Sequence, residues 1–131
     1  MKLHELSAVE LSEKIKNSDI TSEEVTKVFL DRINSIDEKT GAFVSVNSEK
    51  ALKEAREYGG KENRSPLHGV PIAIKDNILS IGDLTTSASK ILDNYIGIYD
   101  STVVKKIKES CMPILGKTNM DEFAMGSSNE N

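Results

Sequence analysis

One lysine in this sequence stands where it could move a proton. From Gly69 to Asn77 the chain reads Gly-Val-Pro-Ile-Ala-Ile-Lys-Asp-Asn, so an apolar run delivers Lys75 into a turn. Val70, Ile72 and Ile74 alternate with Pro71 and Ala73, which predicts a strand covered on both faces within an α/β sheet. Lys75 shares the small-residue face with Ala73. An ammonium at the end of such a strand loses hydration, burial lowers a lysine's pKa, and the neutral amine accepts a proton. The competing reading is a solvated cap, or half of an ion pair with the adjacent Asp76.

Other residue types offer less. Thr85-Thr86-Ser87 lie in a hydroxyl-rich segment, Ser80 to Ser89, without a clear period. These hydroxyls satisfy turn backbone or line a site, and both readings stand. A thiol enzyme built on Cys111 and His68 lacks any pattern that brings the two together. The partly apolar run Ser110-Cys111-Met112-Pro113-Ile114 predicts a buried, inert thiol, and a single cysteine cannot form an internal disulfide. His4 and His68 are far apart and no cysteine pair exists, so no metal site is expected. Gly116-Lys117-Thr118 lacks the preceding glycine of a Walker loop, so ATP is expected to bind elsewhere.

The elements that must position Lys75 are readable from capping and period. Ser7 and Glu10 form a capping box ahead of Leu11 and Ile15, predicting a short helix that fades near Asn17 to Asp19. Thr21 and Glu24 repeat the device. Val25, Val28, Phe29, Ile33 and Ile36 then recur at helical spacing through to Asp37. Gly41 ends that helix, and Ala42 to Val46 reads as a short strand. A third helix begins near Ser48, with Ala51, Leu52, Ala55 and Tyr58 on one face, and ends at Gly59-Gly60. After the lysine strand and a loop, Asp100 or Ser101 caps a helix with Val103, Val104 and Ile107 on one side and Lys105, Lys106 and Lys108 on the others. Pro113 to Lys117 reads as a buried strand, which completes a βαβ unit.

With 131 residues, one domain with a real core is the default. The composition, 37% hydrophobic and 29% charged, suits a globular chain, and no stretch is long and apolar enough to span a membrane. The formal charge of −4 excludes bulk neutralisation of nucleic-acid phosphates, so any nucleic acid needs another subunit. The charged start, Met-Lys-Leu-His-Glu, is unlike an export signal, and the cytoplasm is the expected location.

Three stretches, Gly69 to Asn77, Thr85 to Lys90 and Gly116 to Asn131, together resemble the amidase signature family, and the resemblance covers the whole chain. It implies an α/β fold: the N-terminal portion of an α/β/α sandwich with a mixed sheet. Its helical start covers about 1–60 and its sheet-forming part about 66–131. It implies that Lys75 is the lysine of a Ser, cis-Ser, Lys triad. There it draws a proton through a bridging serine while the nucleophilic serine attacks an amide. Met125, Gly126 and Ser127 match the loop beside the reacting centre, where they would help position substrate, though a capped turn reads equally well.

Within that family the final run, Gly116 to Ser128, is most similar to the glutaminase subunits of tRNA-dependent amidotransferases. That branch implies free glutamine as the amide, with the amidotransferase B and C subunits as partners. It also implies charged tRNA held through the B subunit, with ATP and magnesium used by a partner rather than by this chain. The family's serines lie in a Gly-Gly-Ser-Ser-Gly-Gly-Ser type of signature, which these residues do not contain. The resemblance therefore implies a truncated member, inactive alone. Two alternatives remain: a general small-amide amidase, and a non-catalytic subunit-interaction module.

Overall fold

The computed structural model describes residues 2–62 and 65–130. Its first half is helical because each helix carries its own start signal. Helix α1 (Ala8–Lys16) begins on Ser7, whose hydroxyl accepts from the Glu10 N–H while the Glu10 carboxylate accepts from the Ser7 N–H at 2.7 Å. Helix α2 (Ser22–Thr40) begins on the same reciprocal pair, Thr21 and Glu24, and stops where Gly41 takes a left-handed conformation at φ 58°. Helix α3 (Ser48–Gly59) is capped by Asn47 and helix α4 (Thr102–Glu109) by Ser101.

Among the described residues three strands form one mixed sheet: β1 (Phe43–Val46), β2 (Ile72–Lys75) and β3 (Ile114–Thr118), in the order β1-β3-β2. β2 and β3 are parallel with α4 between them in sequence, which is the expected βαβ unit. β1 runs antiparallel to β3, so the helical half of the chain contributes an outer strand to the sheet. The approach of β1 to β3 requires glycine at Gly116. A Cβ there would lie 2.3 Å from the Ser45 carbonyl oxygen, well inside contact distance.

Apolar side chains cover both faces of β3. Ile114 packs with Ile74, Val104, Ile107 and Met112 on the α4 side, whereas Leu115 packs with Leu30 and Ala51 of α2 and α3. The alternation follows from the period of two along a strand. Glu54 of α3 adds a polar tie, its carboxylate accepting from the Ile114 N–H at 3.0 Å. Burial raises the Glu54 pKa, and that hydrogen bond opposes the rise.

Two expectations need correction. β2 is shorter than the apolar run, because Val70 leaves the sheet to pack with Leu11 and Val25, and of the strand's residues only Ile74 is fully buried. The run is therefore not a strand covered on both faces; its two ends serve different cores. Val103 is exposed, since it lies about 100° around the helix from Val104, which is fully buried. The Ser80 to Ser89 segment is irregular as expected, and its chain returns on itself through a bridge between Leu84 and Ile96. No described helix is long and apolar enough to cross a membrane.

The capping boxes predict an acid response. The backbone N–H and hydroxyl of Thr21 lower the Glu24 pKa below its ordinary value. A carboxylate with a lowered folded pKa contributes stability that is present above the unfolded pKa and lost as pH falls through the folded one. Following the Glu24 side-chain carbon by NMR should give a midpoint below that of an ordinary glutamate, with Thr21→Ala moving it back.

Candidate active site

Lys75 is the last residue of β2, paired across the ladder with Thr118, and its side chain is exposed. The desolvation expected for it from the strand pattern does not operate among the described residues. Its neighbour Asp76 takes the opposite side and is completely buried. That carboxylate organises the strand end. One oxygen accepts from both the N–H and the hydroxyl of Thr86, and the other lies 3.4 Å from the Lys117 Nζ.

Among the described residues the buried lysine is thus Lys117, on β3, with 1% of its surface exposed. Its ammonium donates to the Leu84 carbonyl at 2.9 Å and the Thr85 hydroxyl at 3.0 Å as well as facing Asp76, so each of its three hydrogens has an acceptor. Burial lowers the Lys117 pKa and the negative charge of Asp76 opposes that shift. Asp76 is not the partner of Lys75.

From Asp76 the hydrogen bonds run outward through the hydroxyl-rich loop. The Asp76 carbonyl accepts from the Ser87 N–H at 3.1 Å, and the Ser87 carbonyl accepts from the Phe123 N–H at 3.0 Å. Ser89, itself buried, donates its hydroxyl to the Glu122 carboxylate at 2.5 Å. The three stretches singled out in the sequence therefore meet at the carboxyl end of β2 and β3. A groove of about 520 Å³ opens there, lined by Thr86, Ala88, Ser89, Asn119 and Glu122 among others.

Met125, Gly126 and Ser127 follow the turn Glu122–Ala124 and are all exposed. A Cβ on Gly126 would sit 2.5 Å from the Asp121 carboxyl carbon, so a larger residue there would displace the Asp121 side chain. Four residues without glycine's freedom adopt left-handed backbone on the two facing segments: Ser87 and Ala88, then Phe123 and Ala124, with φ between 51° and 60°. Such conformations persist where surrounding bonds over-determine them, often at functional sites.

His68 and Cys111 do not form a thiol–imidazole pair. Their backbones meet, the Gly69 N–H donating to the Cys111 carbonyl at 2.8 Å, but the buried imidazole uses Nε2 on the Tyr58 carbonyl and the buried thiol lies against the Glu109 carbonyl. Asp76 and Lys117 were missed as site residues, whereas Thr86 belongs to the hydroxyl segment that reads as either turn or site lining. Asp76 and Lys117 each end or closely follow an apolar run, where a buried charge demands a partner, but nothing in the sequence says which residue that partner is.

The four α-helices and three strands among the described residues, with these loops at the carboxyl end of the βαβ unit, match the arrangement in solved amidases. The native peptide amidase of Stenotrophomonas maltophilia superposes with a TM-score of 0.85 at 29% identity, over 91% of this chain and 26% of that one. The chain belongs to the amidase family, whose family model matches residues 24–131. It is 53% identical to the A subunit of the glutamyl-tRNA(Gln) amidotransferase of Carboxydothermus hydrogenoformans, over 100% of this chain and 28% of that protein. The corresponding amidotransferase A subunit of Fusobacterium nucleatum is likewise 53% identical, over 95% of the chain and 26% of its own length. Among solved structures, the glutamyl-tRNA(Gln) amidotransferase A subunit of Thermotoga maritima matches with a TM-score of 0.77 and 38% identity, over 99% of this chain and 26% of its own. The chain spans about a quarter of the length of these relatives.

Proposed function

We propose that this chain is the N-terminal part of the amidase domain of a glutamine-hydrolysing subunit, one that releases ammonia for tRNA-dependent conversion of Glu-tRNA(Gln) to Gln-tRNA(Gln). The observation that carries this reading is the convergence of the Lys75 strand end, the Thr85 to Ser89 loop and the 122–127 segment, in a chain half identical to proteins of that name. In it Lys75 serves as the base that draws a proton through a bridging serine, and Met125, Gly126 and Ser127 flank the bound amide.

The serines belong to sequence outside these residues, so the isolated chain is inactive in this reading. The amidotransferase B and C subunits are the partners, and charged tRNA binds through the B subunit. ATP and magnesium serve amidation in one of those partners, and the complex works in the cytoplasm. The acidic balance of the chain favours leaving tRNA to a partner.

The test is an ammonia-release assay on two proteins: the 131-residue chain, and the polypeptide translated from the complete reading frame that contains it. The expected result is release from glutamine by the second only. A complete protein that cleaves other small amides but not glutamine would favour a general amidase. A reading frame that stops at Asn131 and yields no hydrolysis would favour an interaction module.

A further inference from the structure

The most deeply buried charges among the described residues, Asp76 and Lys117, lie beside Lys75 rather than at it. Asp76 is at 0% exposure and Lys117 at 1%. Burying two charges is costly, and replacing such a pair by apolar residues is often neutral or stabilising. The bonds they make show what the pair does locally. The Thr86 hydroxyl donates to Asp76 and also accepts from the Ala88 N–H at 3.1 Å. The Asp76 carbonyl takes the Ser87 N–H. These bonds hold Ser87 and Ala88 in left-handed backbone, at φ 51° and 53°, where residues with a Cβ rarely sit. Lys117 fixes the carboxylate that fixes Thr86, and it ties down Leu84 and Thr85 at the loop's entrance.

Strand geometry links this anchor to Lys75. Successive side chains of an extended segment point to opposite sides. With Ile74 and Asp76 both held inside, Lys75 between them is directed outward.

We propose that Asp76, Lys117 and Thr86 are positioning residues: the buried pair locks the Ser87–Ala88 turn through the Thr86 hydroxyl and holds Lys75 facing away from the core. The catalytic consequence rests on the glutaminase reading above; the positioning itself does not. None of the three residues is assigned contact with the substrate.

Hydrogen exchange followed by NMR on the 131-residue chain tests the positioning directly. Thr86→Val leaves both charges in place and removes only the hydroxyl link. It should speed exchange of the Ser87 and Ala88 amides by about 10-fold, the scale of one lost hydrogen bond, while the Leu30 amide in α2 is unmoved. Thr86→Ser should restore the original rates. Equal acceleration at Ser87, Ala88 and Leu30 would mean a general loss of stability and overturn the proposal, as would no change at Ser87 and Ala88.

In the complete protein, Thr86→Val should lower kcat for glutamine by roughly 10²-fold, as a misplaced reacting group does, with KM nearly unchanged and Thr86→Ser active. Unchanged kcat in an active complete protein would also overturn the proposal. If the unsubstituted complete protein releases no ammonia from glutamine, the glutaminase reading fails. The exchange rates then decide the positioning role alone.

Discussion

Replacing Lys75 by methionine in the complete protein is expected to reduce glutamine hydrolysis by roughly 10²–10⁴-fold, the usual contribution of a positioned general base. The unfolding free energy should change by no more than about 0.5 kcal/mol, as for an exposed position outside the core. Methionine keeps the unbranched length of the side chain and removes only the amine. The residues that hold β2 in place are untouched: Ile74 stays in the α4 core and Asp76 keeps Thr86 and Lys117. Turnover and thermal unfolding should be measured on the same preparation. Near-normal hydrolysis would remove Lys75 from the mechanism. A large loss of both activity and stability would mark it as structural. Lys75 is exposed among the described residues, so the proposed base role requires that it be covered when substrate is bound.

The helices were legible because their signals are local. Ser7 with Glu10 and Thr21 with Glu24 are bonded as their spacing implies, and Gly41 and Gly59 close helices where glycine ends the apolar period. The βαβ unit was legible for the same reason, two apolar runs flanking a capped helix. The identity of the buried lysine was not. Ile72-Ala73-Ile74-Lys75 and Ile114-Leu115-Gly116-Lys117 look alike as sequences, each an apolar run ending in a lysine. What separates them is register: Lys117 pairs with buried Ile74 and shares its enclosed face, whereas Lys75 pairs with Thr118 and faces the other way. A pairing between Asp76 and Lys117, 41 positions apart in the chain, carries no local period to read. The hydroxyl loop was ambiguous on the same ground. Its Thr85 and Thr86 prove to be partners of that distant pair rather than of their own turn alone.

Substituting Lys117 by methionine in the 131-residue chain should destabilise it by about 3–5 kcal/mol, the cost of breaking a buried pair by removing one partner. Methionine matches the stem of the lysine, so the loss is not one of packing volume. It comes from Asp76, left as an uncompensated charge at 0% exposure, and from the Leu84 carbonyl and Thr85 hydroxyl, which lose their donor. Asp76→Asn alone should also destabilise, because the Lys117 ammonium then has no anion. The double substitution should recover a large part of the loss, since it removes both charges at once and a neutral pair avoids the desolvation of ions. Denaturant unfolding of the four proteins closes a double-mutant cycle, with an interaction energy of roughly 0.5–3 kcal/mol expected for residues in one network. A cost below about 1 kcal/mol for Lys117→Met would place this pair with surface ion pairs. Additive losses in the double variant would show that the two charges are stabilised separately, and the buried pair would no longer explain how the loop is held.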